Sequence, residues 1–318
     1  KCYAATLAAC LLVTLGCSRD EPSGLGKDFS YDLTELRKVD PKLIQYDEAA
    51  AIEPGMKELR GLAVDAAGKL YVAGDQAVVV FDKTGAREAE LQLAAPPRCL
   101  AVAADGTLYV AMKEHVEVYD PKGEQKAAWK GLGEKVLITS VAVGEGSVFV
   151  ADAGNRVVVR YDRAGKQLGL IGKKDEARDI PGFVVPSPHL DLAMSREGLL
   201  WAVNPGRHKL QAFTIAGDLE LSWGKPSTAI AGFSGCCNPT DIAILPDGRF
   251  VTSEKGLPRV KVYSAQGEFE CVVAAPDRFA KDVAGLDLAV DSTGRIFVLD
   301  PAAGKVRVFV RKTAETKK

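Results

Sequence analysis

The feature that most constrains this chain is a segment that recurs six times. Each copy has an apolar–Ala–apolar triplet, a Gly-containing turn, an apolar β-run, and a third run with an aromatic residue near its end. The triplets are Leu62–Val64, Leu100–Val102, Val141–Val143, Leu192–Met194, Ile242–Ile244 and Leu288–Val290. In the first five copies another Gly turn leads to a fourth run. One four-stranded sheet of this size buries too little surface to be stable alone, so the copies must pack on one another.

These copies predict an all-β fold, a six-bladed β-propeller with four-stranded blades. The repeated Ala suits innermost strands, which crowd around a central axis and leave room only for small side chains. The sixth copy has three runs, and an apolar run without a partner, Leu43–Tyr46, precedes the first copy. We therefore expect an N-terminal strand to complete the last blade and close the ring, because closure leaves no long unpaired edge.

The junction between the second and third runs resembles that of a known family. Asp152–Arg156 has an acidic residue at the end of the second run, then Asn and a basic residue opening the third; Asn204–His208 follows this pattern loosely. In these residues the chain is similar to the NHL-repeat family, whose members form six-bladed propellers. The resemblance covers about residues 43–311. The shorter junctions at Asp75-Gln76 and Lys113-Glu114 depart from it.

The N-terminal residues predict export. Residues 1–17 have one Lys followed by an apolar run that is short for a membrane span, as in a signal peptide. Thr14–Cys17 resembles a bacterial lipobox, which implies lipidation of Cys17 and a membrane-anchored lipoprotein of the bacterial cell envelope; the alternative is an ordinary cleaved signal with a periplasmic product. We expect a flexible tether at 18–41, the propeller at 42–312 and a charged tail at 313–318.

The charge balance argues against one class of partner. The chain has 41 Lys and Arg against 42 Asp and Glu, a net charge of −1, and no basic stripe. Nucleic-acid binding proteins carry a basic patch that attracts phosphates. We therefore expect no nucleic-acid partner.

The crossings between blades differ in length, and the longer ones share one face. They are Lys173–Pro188, Lys225–Pro239 and Ala275–Gly285, between neighbouring blades 3 to 6. Long loops on a rigid scaffold tend to carry function. We expect this face to bind a protein or small-molecule ligand. The alternative is that the loops only cap the channel.

Aligning the copies places three carboxylates at one level of the channel. The residues two before the repeated Ala are Gly61, Cys99, Ser140, Asp191, Asp241 and Asp287. Asp191, Asp241 and Asp287 therefore converge at the channel mouth, where their oxygens suit Ca²⁺ or another divalent metal. The alternative is that each Asp accepts hydrogen bonds from backbone N–H groups and fixes a blade crossing.

Adjacent cysteines, Cys236-Cys237, followed by Asn238, end the second long crossing. We expect these three residues to bind ligand, with the cysteine pair near the centre of this face. Neighbouring Cα atoms lie about 3.8 Å apart, below the usual disulfide range, so a vicinal disulfide would be strained. Two free thiols or a metal or redox site are the other interpretations. Cys99 is a candidate distant partner, and Cys271 suits an inert core position.

The remaining binding candidates are His189, Arg207 and His208, which fall in loops of the same face. NHL-type amidating lyases bind zinc through histidines around the channel, but no His here occupies an aligned inner position. For Arg207 and His208, loop hydrogen bonds are the alternative to ligand binding. The predicted function is a ligand- or protein-binding module. The alternative is an enzyme, either a metal-dependent lyase or hydrolase using the Asp residues or a redox enzyme using the cysteine pair.

Overall fold

The computed structural model describes residues 34–131, 133–281 and 283–313. The compact unit that carries the propeller begins at Leu36. Residues 1–33, with the predicted signal peptide, Cys17 and most of the tether, lie outside the described residues, as do 314–318 of the tail. No helix within the described ranges is long and apolar enough to cross a membrane.

Six antiparallel sheets of four strands form the propeller, which confirms the predicted fold class. Blade 1 consists of β2 (Leu59–Val64), β3 (Leu70–Gly74), β4 (Ala77–Phe81) and β5 (Arg87–Gln92), and blade 2 of β6 (Cys99–Val102), β7 (Leu108–Ala111), β8 (Val116–Tyr119) and β9 (Gln125–Ala128). Blade 3 consists of β10 (Ile138–Gly144), β11 (Ser147–Asp152), β12 (Val157–Tyr161) and β13 (Gln167–Ile171), and blade 4 of β14 (Leu192–Met194), β15 (Leu200–Asn204), β16 (Lys209–Phe213) and β17 (Leu219–Trp223). Blade 5 consists of β18 (Asp241–Ile244), β19 (Phe250–Glu254), β20 (Arg259–Tyr263) and β21 (Phe269–Ala274), and blade 6 of β22 (Leu288–Val290), β23 (Ile296–Asp300), β24 (Lys305–Arg311) and β1 (Tyr46–Ile52).

An N-terminal strand closes the ring as predicted, but it lies further along the chain. β1 pairs antiparallel with β24, from Tyr46 opposite Arg311 to Ile52 opposite Val306. The predicted run instead begins in a 3₁₀ turn at Pro41–Leu43, where the N–H of Lys42 donates to the Asp40 side chain. Proline and a capping Asp favour this turn over an extended start. The strand follows it because the edge of β24 offers backbone hydrogen bonds that require no apolar side chains.

The repeated Ala residues line the central channel, as their small size predicts. Ala63, Ala101, Ala142, Ala193, Ala243 and Ala289 all border its cavity. The apolar core is divided into six clusters, each formed by the facing sides of two neighbouring blades. Between blades 2 and 3, for example, the Trp129 ring lies 5.7 Å from that of Tyr109 and 4.8 Å from that of Tyr161. Each blade therefore needs both neighbours to bury its two faces.

Polar side chains at the ends of second strands hold the crossings that lead into the blades. Asp152 accepts a hydrogen bond of 3.1 Å from the N–H of Leu137 in the crossing before blade 3. Asn204 does the same for the N–H of Val184 at 2.9 Å, and Glu254 for that of Ser234 at 3.0 Å. The acidic position of the NHL-like pattern therefore has a structural role in this chain, because it satisfies backbone donors that no strand would pair.

Gly165 tests how the blades pack, because it lies at φ 85° in a turn where an added Cβ would lie 2.4 Å from the Trp129 ring. We expect Gly165→Ala to lower the free energy of unfolding by about 2–4 kcal/mol, combining backbone strain with the clash. Gly248, at φ 86° with no heavy atom within 4 Å of the added Cβ, is the matched control. Gly248→Ala should cost only the backbone strain, about 1–2 kcal/mol. Equal losses in chemical denaturation would contradict the Trp129 contact.

Candidate functional site

The central channel holds a cavity of about 790 Å³, lined by the inner strands of all six blades. At its mouth it is also bordered by His189, from the end of the first long crossing, and by residues 283–285 of the third. Cavities of this volume accommodate small-molecule ligands. The channel mouth is therefore the candidate site.

The three aligned carboxylates meet at this mouth. Asp241 opens β18, and Asp191 and Asp287 directly precede β14 and β22, so all three occupy the same level of neighbouring blades. One oxygen from each lies within 4.8 Å of the others. That spacing allows one cation to contact all three, because Ca²⁺ binds oxygens at about 2.3–2.6 Å.

The same side chains also hold the blades together. The N–H of Ile242 donates to Asp191 Oδ2 at 2.8 Å, and the N–H of Leu62 donates to Asp287 Oδ2 at 2.8 Å. Asp241 accepts from the hydroxyl of Ser253 at 2.9 Å and from the backbone of Leu286. The alternative in which each Asp fixes a blade crossing through backbone hydrogen bonds thus describes all three residues. It is compatible with a cation site because each carboxylate oxygen has two lone pairs.

Placing three carboxyl groups together alters their protonation. Burial in the channel, with Asp241 close by, raises the pKa of Asp191 to about 7. Burial raises the pKa of Asp241 to about 6. Burial and the charges of the other two raise the pKa of Asp287 well above its usual range. Without a cation, the cluster therefore holds protons that a free Asp would have lost at neutral pH.

His189 lies beside the carboxylates at the cavity wall. A Cβ on Gly285 would lie 2.8 Å from His189 Cε1 and 3.9 Å from Asp241 Oδ2, so only a glycine leaves space for the ring here. Burial and the positive charge of Lys255 lower the pKa of His189 to about 4. The imidazole is therefore neutral at physiological pH, with the lone pair of one ring nitrogen available to a metal ion or a ligand.

Arg207 and His208 do not line the cavity; they connect loops. They belong to the turn between β15 and β16. Arg207 donates to the carbonyl of Pro181 in the first crossing at 3.2 Å. His208 Nε2 lies 2.6 Å from the carbonyl of Gly235 in the second, which it meets as donor in the Nε2-protonated tautomer. This is the loop-bonding alternative of the sequence analysis.

The cysteine pair lies in the second crossing and outside the cavity lining. Both residues are free thiols with their sulfurs 2.9 Å apart; Cys236 is exposed and Cys237 is 4% exposed. Asn238 frames the loop, because its side chain donates to the carbonyl of Ser234 at 2.6 Å and accepts from the N–H of Lys255 at 2.9 Å. Its contacts are those of a structural residue.

A buried charged cluster, which the sequence analysis missed, anchors the second crossing to blade 5. Glu254 and Lys261 are 0% exposed, and Lys261 Nζ lies 2.6 Å from Glu254 Oε1. Arg259 Nε donates to the same oxygen at 2.8 Å. Lys261 also donates to the carbonyl of Gly232 at 2.7 Å. Burial lowers the pKa of Lys261 to about 8. Such charges are tolerated because every one is paired and hydrogen-bonded.

Two arginines at the cavity were also missed. Arg60 and Arg98 border it from blades 1 and 2. Each directly precedes the position that carries the carboxylates in blades 4 to 6. Extending the repeat alignment by one residue would have found them.

The raised carboxyl pKa values predict how stability depends on pH when EDTA has removed any metal. Between about pH 4 and 7 the folded protein holds more protons on Asp191, Asp241 and Asp287 than the unfolded chain does, so stability is lost as pH rises through this window. Asp241→Asn removes the repulsion between the Asp241 carboxylate and those of Asp191 and Asp287. We expect this variant to gain about 1 kcal/mol in the free energy of unfolding at pH 8, which raises the melting temperature by roughly 2 °C or more. A drop at pH 8, or an unchanged pH slope, would contradict the clustered carboxylates.

The fold is similar to solved structures of lyases. A streptogramin B lyase structure has a TM-score of 0.58 at 11% identity, covering 84% of this chain and 98% of that chain. Selenomethionine-substituted virginiamycin B lyase from Staphylococcus aureus has a TM-score of 0.59 at 13% sequence identity. A catalytically inactive form of that lyase, with quinupristin, has a TM-score of 0.57 at 12% sequence identity. Each match covers 84% of this chain and 100% of the lyase chain. No family model and no curated protein matches the sequence. The NHL resemblance thus stays a prediction, and the structural similarity shows a fold that includes enzymes.

Proposed function

We propose that this propeller is a binding module whose channel mouth holds a divalent cation and takes its ligand on the face with the long crossings. The observation that carries the proposal is the convergence of Asp191, Asp241 and Asp287 within 4.8 Å. When ionised, three carboxylates at this separation repel one another, and a hard cation with oxygen ligands would displace the protons and convert that repulsion into attraction.

The surroundings of the carboxylates support this proposal. The cavity of about 790 Å³ that they line leaves room for a ligand. The first and third crossings meet at the mouth, where the ring of His189 contacts the backbone of Ala284. The second crossing, outside the cavity lining, is fixed by Glu254 and Lys261, so the face that carries the long crossings is preorganised.

The proposal predicts cation binding that depends on the carboxylate charges. After EDTA treatment and dialysis, calorimetric titration with Ca²⁺ should give one site per chain. Asp191→Asn should weaken it about 10-fold or more, because one anionic ligand is lost while the amide oxygen still accepts from the N–H of Ile242.

Two further variants separate binding from structure. Asp247, which lies outside the cavity lining in the turn between β18 and β19, is the matched control, and Asp247→Asn should bind Ca²⁺ like the wild type. Asp191→Ala should lose both binding and thermal stability, since it also removes the hydrogen bond to blade 5. If the wild type binds none of Ca²⁺, Mg²⁺, Mn²⁺ or Zn²⁺, the proposal is wrong.

A second candidate function is a metal-dependent lyase or hydrolase. The observation that favours it is His189, a neutral imidazole that packs against Gly285 beside Asp241 in the same cavity. A cation held by the carboxylates would polarise a substrate and acidify it, and the neutral ring of His189 would be the group placed to take the proton.

The similar lyase structures suggest the first substrate to test. Quinupristin incubated with the protein and Mg²⁺ should yield a new product in mass spectrometry, and His189→Gln should abolish it while thermal stability is kept. Intact quinupristin after incubation with the wild type would count against this substrate. If the protein binds a cation but turns over no lyase or hydrolase substrate, the enzyme is excluded and the binding module is the function that stands.

The proposal places this module in the bacterial cell envelope, anchored through Cys17. Its basis is the signal-like residues 1–17 alone. A Cys17→Ser variant that still fractionates with membranes would contradict the lipid anchor.

A further inference from the structure

The charges around the channel mouth are divided between its two halves. Blades 4 to 6 contribute the carboxylates of Asp191, Asp241 and Asp287. Blades 1 and 2 have Gly61 and Cys99 at the aligned position, and blade 3 has Ser140. One residue earlier, blades 1 and 2 carry Arg60 and Arg98, whereas the other blades carry Thr139, Leu190, Thr240 and Leu286. The mouth thus has an acidic half and a basic half.

The arginines in the basic half have unused hydrogen-bond donors. The side chain of Arg98 is half-buried at the cavity, and among the described residues it has no hydrogen bond or ion pair. Arg60 pairs through Nη2 with Glu58, but its Nε is buried and has no partner among the described atoms. Unpaired buried donors are rare in folded proteins and call for an explanation.

Close packing of the inner strands explains why both arginines are held at the mouth. A Cβ on Gly61 would lie 3.0 Å from Cys99 Cα and 3.5 Å from the carbonyl oxygen of Arg98. The absence of a side chain at position 61 thus lets blades 1 and 2 approach where the two arginines emerge. The pair is positioned by the scaffold rather than by a long loop.

We infer that the ligand carries an oxyanion, a carboxylate or a phosphate group, which Arg60 and Arg98 bind while its other side faces the cation held by the carboxylates. This inference rests on the proposed cation site. A cation alone would leave Arg98 without a partner, and an oxyanion alone would be repelled by the neighbouring Asp residues as they ionise. Guanidinium groups bind carboxylate and phosphate oxygens through paired hydrogen bonds.

The test is calorimetric titration of the full chain, saturated with Ca²⁺, with phenylphosphonate and with succinate. We expect at least one probe to bind, and the tighter one identifies the anionic group. Arg98→Ala should weaken that probe roughly 10-fold or more, the loss typical of a hydrogen bond to a charged group. Arg60→Ala combined with Arg98→Ala should abolish binding. Arg196, exposed in the turn between β14 and β15 and outside the cavity lining, is the control, and Arg196→Ala should bind like the wild type.

A separate arm distinguishes failure of this inference from failure of the cation site. Ca²⁺ should bind Arg98→Ala at least as tightly as the wild type, because a positive charge has been removed. The variant with Asp191, Asp241 and Asp287 all changed to Asn should bind the anionic probe without Ca²⁺. If Ca²⁺ fails to bind the wild type but this variant binds the probe, the cation site is wrong and the oxyanion site stands. The inference is overturned if Arg98→Ala binds the probe as tightly as the wild type does. It is also overturned if neither the Ca²⁺-saturated wild type nor the triple Asn variant binds a probe.

Discussion

Ring closure is the constraint on which the rest of this structure depends. Each blade buries its two faces only against two neighbours, so a break at any point would expose two apolar surfaces. At the rim, β1 pairs with β24, and Arg307 bridges Glu48 of β1 at 3.0 Å and Asp300 of β23 at 2.9 Å. At the centre, Asp287 of blade 6 accepts the N–H of Leu62 in blade 1. Closure thus joins the first and last strands of the propeller at the rim, and its first and last blades at the centre.

The same register that closes the ring creates the channel mouth. Equivalent positions of successive blades lie at one level of the channel. Side chains at these positions therefore come close together around the axis. Asp191 and Asp287 use this position to hold the next blade. Burial raises the pKa values of all three Asp residues, and the charges of the neighbouring carboxylates raise those of Asp191 and Asp287 further. A structural hydrogen bond and a costly charge cluster thus occupy the same side chains, a conflict typical of functional sites.

The candidate site was predictable where it follows the repeat and unpredictable where it follows loops. Aligning the copies indicated the three Asp residues and would also have indicated Arg60 and Arg98. It did not place Cys236-Cys237, expected near the centre, because the path of the second crossing is set by the buried pairing of Glu254 with Lys261 and by the carbonyl of Gly232. The contact between Lys261 and Gly232 joins residues 29 positions apart and leaves no periodic pattern in the sequence.

By itself, the sequence determined the blade count, the strand order and the small residues at the axis, since turn glycines, alternating apolar runs and the repeated Ala are local features. It also determined that an N-terminal strand completes the sheet of the last blade. Only the tertiary structure decided where that closing strand begins, because Tyr46–Ile52 is selected by the free edge of β24 rather than by its own apolar pattern. Only the tertiary structure decided the protonation of the carboxylates, because burial and repulsion exist once three blades bring them together.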